Sequence, residues 1–280
     1  MIRIALVTDV SHDYGIICAK ELAYRGYSVY VVSNARRDTL VRGIRAQTKN
    51  PHIYQIDGSL KNIDQANTIV ELVDLKLEKL DLLIHSNVLP CKESLLEESN
   101  ECIFVNYHLA PLRLNLGLLH LLQEVPQARI VHLHSKELNR GMVDIENAPT
   151  GHGLSARQCY RNSQLWSYLA MQALSEQLSA GSVTINSVYP GPIADYNSDF
   201  KTKLWNWLSP RPFSQSLNVE LPLWIASSPL LSGVSGRMFF HQDPDHQAFS
   251  YPNEQALKRL VWQRSLSLVS HSPMGLVQGF

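Results

Sequence analysis

Apolar positions along the chain fall into short continuous runs, separated by longer stretches with helical spacing. The runs IRIALVT (2–8), SVYVVS (28–33), IYQID (53–57), DLLIH (81–85), RIVHLH (129–134), VTINSVY (183–189) and RMFFH (237–241) read as strands. Most are apolar nearly throughout rather than alternating, as strands are when both faces of their sheet are covered. Helical patterns occupy about 15–26, 62–77, 97–122, 155–179, 217–228 and 253–268. This alternation predicts an α/β fold, a doubly wound parallel sheet of about seven strands with helices on both faces. Right-handed crossovers then place a ligand crevice at the C-terminal ends of the strands. No repeat, low-complexity tract or linker interrupts the pattern, so residues 1–280 are expected to form a single domain. The least regular stretch, 190–215, holds Trp205 and Trp207 and is expected to cover the crevice as a lid, with 270–280 as a tail.

Composition narrows this picture. With 280 residues, 45% of them hydrophobic, the chain can bury one large core. Lys plus Arg and Asp plus Glu number 25 each, so the net charge is zero and there is no overall footprint for nucleic acid or an anionic membrane. The four cysteines, Cys18, Cys91, Cys102 and Cys159, form no C-x-x-C pair, which argues against zinc and for reduced thiols in the cytoplasm. No run approaches the ~18 apolar residues of a membrane span, and MIRIALV runs directly into a strand without a signal segment. His132 and His134 alternate on one strand and are expected to be semi-buried, hydrogen-bonded core residues rather than metal ligands. His108 and His120 fall on the packing surface of the long helical stretch, and His152 on an exposed excursion.

Several segments, in order, resemble one family. These are AKELAYRGYSVYVVS, LDLLIHSNV, RIVHLHS, YRNSQLWSYLAMQAL, INSVYPGPI and LPLWIASSPLLSGVSGRMFF. They are similar to the short-chain dehydrogenases/reductases, in particular the retinol-dehydrogenase-like branch, over Ile4 to about Leu268. The resemblance implies a Rossmann-type fold, an NAD(P) cofactor and hydride transfer between nicotinamide and an alcohol or carbonyl. It also implies a catalytic tyrosine, serine, lysine and asparagine. Tyr160 and Ser135 match the first two, 25 residues apart. The lysine position is Gln164, which can hydrogen-bond but has no charge to lower the tyrosine pKa from its ordinary ~10. Lys136 and Arg161 are the nearest substitutes in sequence. Asn106 is the candidate asparagine, although counting without gaps puts Tyr107 in that register.

The cofactor motifs depart further. The loop written T-G-x-x-x-G-x-G in the family reads TDVSHDYG here, so Thr8, Gly15 and Ile16 keep its frame while Asp9 and Asp13 replace two glycines. Two unit charges ~4 Å apart at an effective dielectric of ~20 repel by about 4 kcal/mol, an unwelcoming place for a pyrophosphate. Asp13 also reads as a helix N-cap, and His12 as a phosphate contact when protonated. The family's Asn-Asn-Ala-Gly turn is His85-Ser86-Asn87-Val88. Asp57 matches an adenine contact, Arg36 and Arg37 match receivers of a 2′-phosphate, and Asn87, Pro190 and Gly191 complete the implied cofactor side. NADP(H) is therefore the cofactor expected if any binds. Departures in three parts of one mechanism point to an inactive or impaired family member that acts as a binding or scaffold protein. The alternative is an NADP(H)-dependent oxidoreductase acting on an apolar retinoid-, steroid- or lipid-like alcohol or carbonyl. The resemblance also implies a homodimer, built on the helices that carry Asn106 and Tyr160. A protein partner is the other binding expectation.

Overall fold

The computed structural model describes residues 2–10, 13–33, 38–88, 98–178, 181–191, 219–240 and 253–270. Seven strands form one parallel sheet: β1 (Ile4–Val7), β2 (Ser28–Ser33), β3 (Ile53–Asp57), β4 (Leu82–His85), β5 (Ala128–Leu133), β6 (Val183–Tyr189) and β7 (Met238–Phe240). Their order is β3-β2-β1-β4-β5-β6-β7. Each expected strand is present: β2, β3 and β6 have the expected bounds, β5 is shifted by one residue, and β1, β4 and β7 are shorter by a residue or two at their ends. The helices are α1 (Asp13–Tyr24), α2 (Asp38–Thr48), α3 (Ile63–Asp74), α4 (Asn100–Phe104), α5 (Ala110–Gly117), α6 (Leu119–Gln123), α7 (Ala156–Gln177), α8 (Glu220–Ser227) and α9 (Glu254–Ser270).

Two elements differ from the sequence pattern. Helix α2 was not expected, because DTLVRGIRAQT offers few apolar positions. Val41 and Ile44 nonetheless bury against the sheet, and a parallel β2-to-β3 crossover requires such a connection. The helix expected over 97–122 is broken into α4, a π turn at Val105–Leu109, α5 and α6. Side-chain caps start the helices cleanly. Asn62 accepts from the Asp64 N–H, Ser99 from Cys102 and Ser155 from Gln158.

Alternate residues of each strand enter opposite layers. Ala5, Val7, Val29, Val31, Ile84, Val131 and Val188 pack under α1, α2 and α8. Leu6, Val32, Ile56, Leu83, Ile130 and Ile185 pack under α3, α5, α7 and α9. Helix α7 is the centre of the second layer. Between Cys159 and Ser175 only Arg161 and Gln172 escape burial, because α9 lies across its outer side. Of the segment expected as a lid, all but Pro190 and Gly191, and so Trp205 and Trp207, falls outside the described residues, as do Arg36, Arg37, His12 and Cys91.

Candidate functional site

Strand order reverses beside β1, which has β2 on one side and β4 on the other, so the crevice opens where the β1 and β4 loops part. Thr8 is buried, and its N–H donates to the Ile84 carbonyl at 3.0 Å. The Ser86 hydroxyl donates to the Asp9 carbonyl oxygen at 2.7 Å. Gly15 lies against that same oxygen: a Cβ there would stand 1.6 Å from it and 2.9 Å from Ser86 Oγ. The one loop glycine that survives is thus required by the packing of α1 on the Asp9 backbone. Val10 is fully buried, and Ile16 packs into the layer of α1 and α2.

Asp9 is half-buried. It contributes to raising Lys61, whose main partner is Glu98, and to raising Tyr107, where burial is the larger cause. The Lys61–Glu98 ion pair joins the loop after β3 to the lead-in of α4. Asp57 stays exposed at the end of β3, accepting from the Gln55 amide at 2.7 Å. Pro190 and Gly191 are buried just past β6, where Gly191 adopts φ +98°, a conformation that favours glycine.

Tyr160 and Gln164 are four residues apart on α7 and so share a face. Tyr160 is 2% exposed, and its hydroxyl donates to the Val88 carbonyl at 2.6 Å. Burial pushes that hydroxyl's pKa above its ordinary value, a hydrogen bond with Ser135 opposes this, and Glu137 adds to it. Arg161 is engaged elsewhere, with its Nε 2.5 Å from Glu137 Oε2. Gln164, also 2% exposed, accepts the Ser135 N–H at 2.9 Å. The position where the family carries lysine therefore ties α7 to the end of β5. The Ser135 hydroxyl accepts from the Glu137 N–H at 3.2 Å, capping a short 3-10 turn, Lys136–Arg140. Val88 is fully buried and fills the turn that a glycine leaves open in the family.

A π turn over Val105–Leu109 carries both Asn106 and Tyr107. Tyr107 packs edge-on against Tyr160, ring centroids 4.9 Å apart. Asn106 takes part through its backbone, its carbonyl accepting from Asn87 Nδ2 at 2.5 Å.

Beneath these residues lies a feature that pattern reading misjudged. His85, His132 and His134 are 0–2% exposed and form a column of rings, with centroids 4.4 Å and 5.0 Å apart. His85 Nε2 meets Asn115 Oδ1 at 2.7 Å and His134 interacts with the Gln164 amide, but both ring nitrogens of His132 lack a hydrogen-bond partner. The expectation of a hydrogen-bonded ring fails at His132, and the rings are fully rather than partly buried, because β4 and β5 place them in register under α5 and α7, out of reach of solvent. Burial holds His85 at about 4 and His134 at about 3, the latter slightly opposed by the nearby Gln164 amide. His132 lies well below its usual value for the same reason, reinforced by its neighbours. Stacked rings do not converge their nitrogens, and no described group of His, Cys, Asp or Glu is placed to hold a metal. Among the described residues no helix is long and apolar enough to cross a membrane.

No family model matches the chain. Retinol dehydrogenase 12 of Mus musculus is 27% identical over 243 residues, covering 85% of this chain and 77% of that protein. Dehydrogenase/reductase SDR family member 13 of Bos taurus is 26% identical over 284 residues, covering 97% and 74%. Among solved structures, a short chain dehydrogenase from Salmonella enterica serovar Typhi superposes with a TM-score of 0.62 at 18% identity, covering 87% of this chain and 97% of that one. An Escherichia coli CFT073 protein assigned as a short chain dehydrogenase, solved with NADPH, gives the same TM-score at 18% identity, covering 86% and 97%.

Proposed function

Because the chain belongs to the short-chain dehydrogenase/reductase family, in its retinol-dehydrogenase-like branch, we propose that it is a binding protein in which hydride transfer has been silenced. One observation carries this reading: the Tyr160 hydroxyl is sealed against the Val88 carbonyl, with uncharged Gln164 where a cation would have to stand. A general acid works best with its pKa near operating pH. Burial moves this one the other way. Asp9 supports the same reading, since a carboxylate replaces the loop glycine and its backbone packs tightly on Gly15. The free thiols of Cys18, Cys102 and Cys159 fit a cytoplasmic setting. A homodimer through α7 would first have to displace α9, so a different protein partner suits the structure better.

A second reading keeps some support. The Ser135–Tyr160 contact survives, Asp57 is open to a ligand, and a structural neighbour was solved with NADPH. Under it the protein reduces an apolar aldehyde or ketone with NADPH. Calorimetric titration with NADPH, alongside an NADPH-oxidation assay with retinaldehyde, separates the two. The binding-protein reading expects no heat at millimolar cofactor and no turnover. Micromolar binding with turnover that Tyr160→Phe abolishes would sink it.

A further inference from the structure

The outer strand β3 borders a groove that the crevice chemistry leaves unused. Tyr30 and Tyr54 stand in register on β2 and β3 and stack, with ring centroids 4.9 Å apart and an interplanar angle of 27°. Both lie in the amino-terminal halves of their strands, away from the end where Asp57 and the crevice loops stand. Arg45 reaches from α2 to β3. Its guanidinium donates to the Ile53 carbonyl through Nε, at 3.1 Å, and through Nη2, and its Cζ lies 5.8 Å from the Tyr54 ring centre. Tyr54 still keeps 37% of its surface exposed. With Val41, Arg42 and Lys76, these side chains line a cavity of about 710 Å³, a volume that suits a small molecule.

The charge of this cavity is one-sided. Arginine and lysine line it and no carboxylate does. The Ile53 carbonyl orients Arg45 but does not neutralise it, and among the described residues no carboxylate pairs with Arg45 or with exposed Lys76. The adjoining cavity shares Tyr30 and Lys76 but is lined by Glu78 and Glu124 as well. An anion is therefore favoured beside Arg45 and opposed in the neighbouring cavity. Arg45 also decides what β3 does not take. Addition of a peptide strand would need the outward carbonyls of this edge strand, and that of Ile53 is already occupied. What is left is an exposed aromatic ring, which suits a planar group, beside a guanidinium whose fork matches phosphate.

We propose that this groove binds an aromatic phosphate of mononucleotide size, its ring against Tyr54 and its phosphate answered by Arg45 and Lys76. Glu78 and Glu124 next door interrupt the cationic track that a longer nucleic-acid strand would follow. The site is separate from the crevice, so it stands whether or not NADPH binds there.

The test is calorimetric titration of the full chain with AMP at about 0.15 M salt, where distant charges are screened. Saturable binding to one site is expected. Lys76→Glu, at an exposed position, should weaken it about tenfold or more and leave the melting temperature unchanged. Tyr54→Leu keeps Tyr30 covered but removes the aromatic surface, and should weaken AMP by about the same factor. Absence of binding at millimolar AMP, or binding that ignores both variants, overturns the site. Adenosine binding as tightly as AMP overturns the phosphate contact, and pyrophosphate binding as tightly overturns the aromatic one. A single-stranded oligonucleotide held more tightly than AMP through the same two residues overturns the small-molecule assignment. The NADPH titration is read separately: turnover overturns the binding-protein reading, whereas AMP indifferent to Lys76 and Tyr54 overturns only this site.

Discussion

The two faces of the sheet are made from alternate residues of the same strands, yet they are chemically unlike. The face under α1, α2 and α8 is aliphatic, with Val7, Val31, Ile84, Val131 and Val188 at its centre. Its buried titratable groups, Tyr14 and Cys18, are pushed upward by burial, Cys18 to about 12, so they stay neutral in acid. Buried Arg129 on that face is charged at every relevant pH and is held by the Ile225 and Ser228 carbonyls at 2.6 and 2.7 Å. The opposite face carries His85, His132 and His134, with His108 above them against Trp166 and Ser265. The groups buried on one face are therefore already neutral in acid, whereas those on the other would have to gain protons.

The largest expected effect follows from that difference. A histidine whose pKa is depressed in the folded state binds fewer protons there than when unfolded. Its contribution is therefore complete above the unfolded value near 6.5 and is lost as pH falls toward the folded value. For His85 a drop from 6.5 to about 4, at ~1.4 kcal/mol per unit, is about 3 kcal/mol. His108, His132 and His134 move in the same direction, all by burial. All four therefore lower stability in the same direction as pH falls through the range below 6.5. Urea unfolding midpoints should fall steeply between pH 6.5 and 4. A flat profile from pH 7 to 5 would mean the rings are hydrated or hydrogen-bonded in solution, and the comparison would break.

The next effect concerns the helix that covers the histidine face. Gln164→Lys restores the family residue by sequence, but its position is buried and already engaged with the Ser135 N–H. An unpaired buried ammonium should cost about 3 kcal/mol or more. The variant is expected to melt lower and to gain no NADPH oxidation. A fully stable Gln164→Lys protein would show that α7 can shift to expose this position.

Much of this architecture was readable in the residues, and the failures share a physical cause. Strand positions followed from continuous apolar runs, and the order of motifs led to the sheet and to the pairing of Tyr160 with Ser135. Helix α2 was lost because propensity was read without the crossover that a parallel sheet demands. The π turn at Val105–Leu109 leaves no periodic trace over five residues, so Asn106 and Tyr107 could be placed only by geometry. Gln164 was legible as a missing charge but not as a tie to Ser135. The histidine column was legible only as alternation: which ring nitrogens find partners depends on which side chains α5 and α7 bring down onto it.

Adjacent residues of β5 give the sharpest test. Val131 and His132 point into opposite faces, Val131 0% and His132 2% exposed. Val131→Ala removes buried methyl groups from the aliphatic face and should cost about 2 kcal/mol, by lost transfer energy and a residual cavity. That loss should be the same at pH 7 and pH 5, because nothing titrates around it.

His132→Leu should have the smallest effect and the opposite sign. It removes two ring nitrogens that have no partner and leaves an apolar side chain of comparable size beside Ile130 and Leu83. Relief of a buried unsatisfied group is worth about 1 kcal/mol or slightly more, reduced by imperfect packing. The variant should be modestly more stable than the parent at pH 7, and the advantage should widen at pH 5, since one of the groups that gains a proton on unfolding is gone. Denaturant midpoints at the two pH values measure both the sign and the widening. A loss of stability at pH 7 would mean that His132 has a partner in solution, such as a buried water, and that the two faces are less unlike than their geometry indicates.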